Sequence, residues 1–324
     1  MISQKNKEML ERQQYRLAGK HSVVKVCEWT KKSLLDEGEC YKEKFYGIKS
    51  AGCCENSPSA AWCDNKCLHC WRAIEYTQGD KLPQNIDEPE QIITELVEQR
   101  KKLLTGFKGN PKVNMEKFIE SQEPTHFAIS LIGEPTLYPK LGELVSLLRK
   151  QSKTSFVVTN GLHPEIIKKL AGKKQLPTQL YLSLNAPNKE VYDAWHNSNM
   201  KDAWNKFNET LILFSKLKGK TRTVLRMTLV RRKNMLPHQI KEYAELIKKS
   251  KCDFVEVKGF MSVGYSRKRL GYETMPIWAE IKDYAKLLAK ALGKSYKILG
   301  KHKFSRIVLL GKSKSSMKIR KNEI

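Results

Sequence analysis

Short apolar runs of strand length alternate with helical patterns over most of the chain. The runs lie at residues 126–132, 155–159, 179–185, 223–230, 253–257 and 306–310. Apolar residues at helical spacing lie between or before them, at residues 88–105, 139–150, 163–171, 204–216, 237–249 and 276–292. Strands that lack polar alternation are typical of a parallel sheet covered by helices on both faces. The pattern predicts an α/β fold, with residues 20–80 irregular and residues 1–20 a basic helix or arm.

The number of strand–helix units limits the architecture. A complete eight-fold barrel typically needs about 250 residues, and about six units follow the cysteine-rich segment at residues 20–80. We therefore expect an incomplete, TIM-like (β/α)6 barrel with extensions at both ends. The expected divisions are an N-terminal extension at 1–58, the partial barrel at 59–310 and a basic tail at 311–324.

Polar or tight-turning residues follow four of the predicted strands. They are Gly133 and Glu134, then Asn160, then Asn185, and finally Lys258. Parallel β/α folds bind ligands at the carboxyl ends of their strands. Ordinary turn chemistry explains any one of these positions, but their recurrence at one rim predicts a binding site there.

Charge suggests the kind of partner. Lys and Arg total 60 against 34 Asp and Glu, which gives a net charge of +26. A generically basic, solvated surface is one interpretation, and a polyanionic partner such as a nucleic acid is the favoured one. The apolar runs are too short to cross a membrane, and the polar N-terminus does not resemble a signal peptide. We therefore expect a cytoplasmic protein in a reducing compartment.

The eight cysteines include one closely spaced group, Cys63, Cys67 and Cys70. A structural zinc site needs four ligands, and His69 is too close to Cys70 for both to bind one ion readily. Three thiolates on one loop suit a [4Fe-4S] cluster whose fourth iron stays open to a small molecule. Cys252 stands alone before a strand and is expected to be a packed thiol.

The Cys-x3-Cys-x2-Cys spacing at the start of a β/α series resembles the radical S-adenosylmethionine (SAM) superfamily. The resemblance implies that the open iron binds SAM and that reductive cleavage gives a 5′-deoxyadenosyl radical. It also implies SAM contacts at the strand ends, from Gly133, Glu134, Asn160, Ser183, Asn185, Arg226 and Lys258. One position departs from the family pattern, because His69 stands where an aromatic residue usually precedes the third cysteine.

A second group of cysteines lies upstream. Cys27, Cys40 and Cys53 are 13 residues apart, and Cys54 adjoins the last of them. They could bind a second [4Fe-4S] cluster, bind zinc, or be three buried thiols. Lys42 follows Cys40 by two residues and could form a Schiff base with a carbonyl substrate, although a solvated lysine is the ordinary interpretation.

Five segments together resemble one enzyme family within that superfamily, the tRNA 4-demethylwyosine synthases of wybutosine biosynthesis. They lie at residues 40–48, 63–72, 133–139, 158–161 and 257–267, within a resemblance that spans roughly residues 20–310. Eukaryotic members carry an additional N-terminal flavodoxin-like domain. A chain of 324 residues is expected to be of the archaeal form.

The resemblance implies a specific reaction. The substrate would be tRNA-Phe with N1-methylguanosine at position 37, and pyruvate would supply two carbons. The radical would abstract hydrogen from the N1-methyl group, and the methylene radical would add to pyruvate held by the second cluster (Cys27, Cys40, Cys53) and Lys42. Loss of the pyruvate carboxylate and ring closure would give the tricyclic base. An external electron donor is required, and we expect a monomer.

Basic residues that follow two strands are candidate tRNA contacts. They are Arg231 and Arg232 after one strand and Arg267, Lys268 and Arg269 after another. Between Lys312 and Lys321 the tail adds five basic residues and no acidic one. Two alternatives remain open: a radical SAM enzyme acting on another tRNA base or another kind of substrate, and a non-enzymatic RNA-binding metalloprotein.

Overall fold

The computed structural model describes residues 1–324, which form ten strands and eleven α-helices. The strands are β1 (Arg16–Ala18), β2 (Ser22–Lys25), β3 (Cys53–Ser57), β4 (His126–Ile129), β5 (Thr154–Thr159), β6 (Gln179–Ser183), β7 (Arg222–Leu229), β8 (Phe254–Gly259), β9 (Lys297–His302) and β10 (Ile307–Gly311). The helices are α1 (Gln4–Arg12), α2 (Glu28–Leu34), α3 (Tyr41–Tyr46), α4 (Pro89–Leu104), α5 (Met115–Gln122), α6 (Leu141–Lys150), α7 (Pro164–Gly172), α8 (Lys189–His196), α9 (Ala203–Phe214), α10 (Ile240–Ser250) and α11 (Trp278–Leu292).

All ten strands belong to one open sheet in the order β1-β2-β3-β4-β5-β6-β7-β8-β10-β9. The six strands from β3 to β8 are parallel. The N-terminal segment adds β2 and β1 antiparallel at one edge, and β10 and β9 are antiparallel at the other. The predicted incomplete (β/α)6 barrel with extensions at both ends is confirmed.

The prediction was wrong about which segments supply the six parallel strands. Residues 20–80 are not irregular throughout, because they contain β3, the first parallel strand. The sequence of β3, Cys-Cys-Glu-Asn-Ser, has no apolar run, since it carries polar site residues. The last predicted strand, β10, pairs antiparallel with β8. The pattern also missed α8, whose apolar positions are few.

The barrel has an outer and an inner core. Outward residues of the strands, such as Val255 and Val257, pack with the helices in the larger core. Inward residues such as Phe156 and Phe254 form a separate core with the short helix α3. Phe45 of α3 is fully buried, so its replacement by Ala would destabilise the fold by about 3–5 kcal/mol. Helix α3 therefore lies inside the barrel, in the space that we call the lumen.

The C-terminal tail lies at the closed end of the lumen. It leaves β10 at Gly311, which pairs with Phe254 at the start of β8. Lys318 donates from Nζ to the carbonyls of Glu43 (3.0 Å) and Lys44 (2.9 Å) of α3. The tail thus lies opposite the rim at which it was expected to contact tRNA. No helix in the structure is long and apolar enough to span a membrane.

Candidate functional site

The cysteine loop and the loops after the parallel strands meet at the mouth of the barrel. Cys63 lies in the loop that follows β3, and its sulfur is 3.9 Å from Nδ2 of Asn160, which follows β5. The backbone nitrogen of Glu134, after β4, donates to the carbonyl of Trp62 (2.9 Å). The structure therefore brings Glu134 and Asn160, two of the predicted strand-end residues, to the first cysteine group.

The thiols of the first group lie close enough to interact electrostatically. Burial raises the pKa of Cys67 well above its usual value, and negative charge on Cys63 and Cys70 would raise it further. Burial also raises the pKa of Cys63 to about 12, although the Arg72 guanidinium opposes that shift. Thiols in this setting would ionise on binding a cation. Arg72 is the charged group that would balance the thiolates.

His69 replaces the usual aromatic residue without losing aromatic packing. Its ring stacks on Trp195, with centroids 5.6 Å apart and planes 7° from parallel. Nδ2 of Asn185 donates to its Nε2 at 3.4 Å. Burial, together with positive charge on His196 and Arg269, lowers the pKa of His69 to about 3, so the ring is neutral. His69 links the cysteine loop to the strand end at Asn185.

Glu134 joins three loops of the mouth. Its buried carboxylate accepts hydrogen bonds from Thr136 Oγ1 (2.7 Å), Thr159 Oγ1 (2.7 Å) and the Asn160 backbone nitrogen (2.8 Å). Its backbone carbonyl accepts from Ser59 Oγ at 2.6 Å. Burial raises its pKa, and these donors oppose that shift. A ligand amine that contacted Glu134 would add a hydrogen bond to a carboxylate that already joins the loops at the mouth.

Gly133 is required by the geometry of this turn. Its φ of +71° is in the left-handed region, and a Cβ there would lie 1.9 Å from the Ser59 carbonyl oxygen. Every other residue type is strained at that φ and would also clash with the backbone. Gly133 therefore allows the loop after β4 to approach the cysteine loop closely.

Asp64 and His163 belong to the mouth, although sequence patterns did not reveal them. Oδ1 of the fully buried Asp64 lies 3.0 Å from Nε2 of His163, and its Oδ2 accepts from Asn160 Nδ2 at 3.3 Å. Burial opposes protonation of His163, but the hydrogen bonds to Asp64 and Glu165 and the negative charges of Asp64 and Glu134 together raise its pKa to about 9. The adjacency of Asp64 to Cys63 was the one available signal.

The remaining predicted SAM contacts lie farther into the lumen. Ser183, at the end of β6, is in register with Arg226 on β7. The Arg226 guanidinium donates to Glu256 Oε2 (2.9 Å) and to the Tyr41 hydroxyl (2.9 Å). Burial, and positive charge on Arg226, lower the pKa of Lys258 to about 8. A contact between Arg226 and SAM would use the donors that Glu256 and Tyr41 leave free.

The second cysteine group surrounds Lys42 at the lumen. Burial raises the pKa of Cys53 well above its usual value, Lys42 opposes this, and charge on Cys27 and Cys40 would raise it further. The Cys40 sulfur accepts from the Lys42 backbone nitrogen at 3.5 Å. The Cys27 sulfur accepts from the Thr30 backbone nitrogen at 3.4 Å. The three thiols, although 13 residues apart in sequence, share one environment.

Cys54 faces away from this group. It packs in the outer core with the helices, whereas Cys53 contacts the inner core. Successive residues of a strand point to opposite faces of the sheet. The orientation of β3 therefore directs Cys53, and not Cys54, toward the lumen.

Lys42 is a buried lysine whose amine lies beside an aromatic ring. It is 8% exposed, and its Nζ lies 5.5 Å from the centre of the Phe156 ring. It belongs to none of the ion pairs, whereas Lys44, two residues later, is on the exposed side of α3. A buried amine without a fixed partner is suited to react with a small carbonyl compound.

The predicted tRNA-contacting residues divide into two kinds. Arg231 is ion-paired with Glu280 (Nη2–Oε2, 2.5 Å) and also donates to the Glu273 carbonyl at 2.7 Å. Arg269 donates to the backbone carbonyls of the cysteine loop at Leu68 (3.2 Å), Cys70 and Arg72 (3.2 Å). The side chains with exposed charge are those of Arg232, Arg267 and Lys268.

The residues after Cys70 contribute to the same surface. Trp71 is 40% exposed, and its indole Nε1 donates to the Leu131 carbonyl at 3.0 Å. Arg72 is buried and donates to the Asn65 carbonyl at 2.7 Å. Trp71 therefore presents a fixed aromatic face at the mouth, whereas Arg72 stabilises the cysteine loop from within.

The sequence and fold were compared with known proteins. A family model described as the radical SAM superfamily matches residues 57–247, and one described as wyosine base formation matches residues 249–312. The S-adenosyl-L-methionine-dependent tRNA 4-demethylwyosine synthase of Pyrococcus abyssi is 45% identical over 302 residues, 93% of this chain and 87% of that protein. The chain belongs to the tRNA 4-demethylwyosine synthase family. The predicted resemblance is confirmed.

Two solved structures extend the comparison over the whole fold. One, described as TYW1 with a lysine-pyruvate adduct bound, is 36% identical with a TM-score of 0.85. The other, described as archaeal TYW1, is 34% identical with a TM-score of 0.78. Each match covers 99% of both chains. The open barrel is therefore the shared fold of this synthase family.

Membership of the synthase family implies SAM and one [4Fe-4S] cluster as cofactors, and the mouth suits both. No three His, Cys, Asp or Glu side chains converge tightly enough to hold a single metal ion. Cys63, Cys67 and Cys70 instead supply a set of three thiols, the donor type that iron–sulfur clusters use. Polar groups of Asn160, Ser183 and Asn185 lie at neighbouring strand ends, where a SAM molecule would need hydrogen-bonding partners.

Arg269 of the synthase fold provides a first test of the cysteine loop. We expect Arg269→Ala to lower the iron bound after anaerobic reconstitution and to increase proteolysis of the loop, because three backbone carbonyls lose their donor. Arg267→Ala is the matched control, since Arg267 contacts the Ser262 carbonyl (2.9 Å) instead. Equal iron content in wild type and Arg269→Ala would show that the loop does not depend on this residue.

Proposed function

We propose that this member of the tRNA 4-demethylwyosine synthase family condenses N1-methylguanosine-37 of tRNA-Phe with pyruvate to form 4-demethylwyosine. It would act as a cytoplasmic monomer and receive electrons from an external donor. The observation that carries the proposal is that one barrel holds both a three-thiol loop at its mouth and a buried lysine among three further thiols. A lysine–pyruvate adduct is bound in the TYW1 structure described above.

The mouth would hold the first cofactors. Cys63, Cys67 and Cys70 would bind the [4Fe-4S] cluster, which supplies the electron that cleaves SAM. Gly133, Glu134, Asn160, Ser183 and Asn185 would contact SAM, with Arg226 and Lys258 on the lumen side. The neutral ring of His69 would add no further positive charge to a mouth that binds the cationic SAM.

Lys42 would bind pyruvate covalently. The neutral amine adds to the keto carbon of pyruvate, the carbonyl oxygen leaves as water, and a carbon–nitrogen double bond remains. The aromatic lumen, including Phe156, limits the access of water that would reverse the reaction. We propose that Cys27, Cys40 and Cys53 hold a second [4Fe-4S] cluster next to this lysine. Pyruvate bound to Lys42 would then lie inside the lumen, between its mouth and its closed end.

A substrate comparison tests the proposed function. The protein is incubated anaerobically with SAM, pyruvate, a chemical reductant and tRNA-Phe that carries or lacks N1-methylguanosine-37, and the nucleosides are analysed by mass spectrometry. We expect the tricyclic base only from methylated tRNA. A product at another position, or from unmethylated tRNA, would instead support action on a different tRNA base.

Exposed basic residues at the mouth are expected to contact tRNA phosphates. Replacing Arg232, Arg267 and Lys268 together by Ala should weaken tRNA binding and reduce the slope of log K against log [salt] by about 1 for each phosphate that is no longer neutralised. The matched control replaces the exposed Lys216, Lys218 and Lys220, which precede β7 at the opposite end of the barrel. Equal slopes in both triple variants would contradict a phosphate-binding mouth.

A further inference from the structure

Glu256 is a charged residue at the centre of the aromatic lumen. It lies on β8 with no exposed surface. Its carboxylate accepts from the Tyr46 hydroxyl (2.8 Å), the Tyr41 hydroxyl (3.1 Å) and Arg226 Nε (2.9 Å). Arg226 also donates to the Tyr41 hydroxyl (2.9 Å) and lies 4.4 Å from the centre of the Tyr181 ring. The charge is therefore fully partnered, and all its partners are in the lumen.

A buried ion pair gives little net stability compared with apolar residues of the same size. Phe254, two residues before Glu256 on the same face of β8, packs with Val224 in the inner core, so an apolar side chain at position 256 would have apolar neighbours. The carboxylate instead fixes the orientation of its partners, because its hydrogen bonds hold particular hydroxyl groups in place. Its presence therefore calls for a role beyond packing.

The hydroxyl groups that Glu256 holds lie at the two ends of α3. Tyr41 is the first residue of this helix and Tyr46 is the last. A helix of six residues has no stability of its own, so its place in the lumen depends on such tertiary contacts. Lys42 follows Tyr41 directly, and its amine has no ion-pair partner to orient it. The contacts of Tyr41 thus control the part of α3 that carries Lys42.

We propose that Glu256 is a positioning residue for Lys42. With Arg226, it holds the Tyr41 hydroxyl and so sets the direction in which the Lys42 amine meets pyruvate. The inference rests on the proposed reaction of Lys42 with pyruvate, and it assigns to Glu256 no contact with the substrate. Tyr46, bound to the other carboxylate oxygen, anchors the far end of α3, where the tail also binds through Ile319 N (3.0 Å to the Tyr46 carbonyl).

Two tyrosine variants separate positioning from stability. Tyr41→Phe and Tyr46→Phe each remove one hydroxyl that donates to Glu256, so we expect their melting temperatures to fall by similar amounts. The readout is the rate at which borohydride traps labelled pyruvate on the protein, with neither SAM nor tRNA present. We expect at least about tenfold slower trapping in Tyr41→Phe, since a misplacement of about 1 Å can cost about 100-fold in rate. Trapping in Tyr46→Phe should stay within about twofold of wild type.

Glu256→Gln supplies a further measurement. The amide still accepts hydrogen bonds but leaves the Arg226 charge unpaired, so we expect slowed trapping together with lower stability. Equal trapping rates in Tyr41→Phe and Tyr46→Phe would overturn the positioning role while leaving the lysine reaction intact. If wild type traps no pyruvate, the proposed lysine reaction fails first and the role of Glu256 fails with it. The two failures are therefore distinguishable.

Discussion

Lys42→Ala is expected to trap no labelled pyruvate on borohydride reduction and to leave N1-methylguanosine-37 unconverted. Lys42 is the buried lysine of α3, among Cys27, Cys40 and Cys53. Without its amine, pyruvate would lose both its covalent link and the orientation that this link provides. Intramolecular placement of a reactant is worth several orders of magnitude in rate, so we expect product formation to fall below detection.

Two other lysines act as controls for Lys42. Lys44→Ala changes the exposed side of the same helix and should trap pyruvate as wild type does. Lys258→Ala removes the second lysine near Cys40. Burial and the positive charge of Arg226 lower the pKa of Lys258 to about 8. Its trapped label should persist, because the adduct belongs to Lys42. Loss of label in Lys258→Ala but not in Lys42→Ala would show that Lys258, and not Lys42, forms the Schiff base.

Iron content should divide equally between the two cysteine groups. Anaerobically reconstituted protein is expected to bind about eight irons if both groups hold [4Fe-4S] clusters. Replacing Cys63, Cys67 and Cys70 together by Ala should leave about four irons and abolish SAM cleavage. Replacing Cys27, Cys40 and Cys53 should also leave about four, with SAM cleavage retained and no pyruvate incorporated.

The same measurement decides among the alternatives for each group. If wild type binds about four irons and loses all of them when the first group is replaced, only the second cluster is excluded. About one zinc and no iron would favour the RNA-binding metalloprotein. Cys54→Ala is the control for both, because Cys54 packs in the outer core and its replacement should leave the iron content unchanged.

Apolar patterning predicted the barrel well because parallel strands are buried on both faces. The strands β4 to β8 were found from their apolar runs, and the helices between them, apart from α8, from 3.6-residue spacing. Strand β3 was not predicted because Glu55 lies on the same face as Cys53 and the polar Asn56 is buried on the other face, so the strand has no apolar run. Helix α3 was not predicted because six residues are too few to show the helical spacing of apolar positions.

The site residues show a similar division between local and distant information. The spacing of Cys63, Cys67 and Cys70 is local, so the sequence alone revealed it. The partners of charged residues depend on the fold. Arg231 and Arg269 read as exposed cations in sequence, yet Glu280 and the cysteine-loop carbonyls bind them. Asp64 and His163 are 99 residues apart, so no local pattern could pair them.

The net charge of +26 is likewise distributed over several roles. Some basic residues of the chain stabilise the protein itself. Arg72 and Arg269 bind the cysteine loop, and Lys318 binds carbonyls of α3 at the closed end of the lumen. The exposed cations Arg232, Arg267 and Lys268 remain at the mouth, where the tRNA-binding prediction now rests.

The most direct test of the account follows the carbons of pyruvate. Wild-type protein is incubated anaerobically with SAM, reductant, methylated tRNA-Phe and pyruvate labelled with ¹³C either at the carboxylate or at the other two carbons. We expect a tricyclic base that gains both labelled carbons from pyruvate labelled at the keto and methyl carbons and gains no label from pyruvate labelled at the carboxylate. No such base should form with Lys42→Ala. Conversion of N1-methylguanosine-37 without any label, or with the carboxylate label retained, would contradict the proposed reaction.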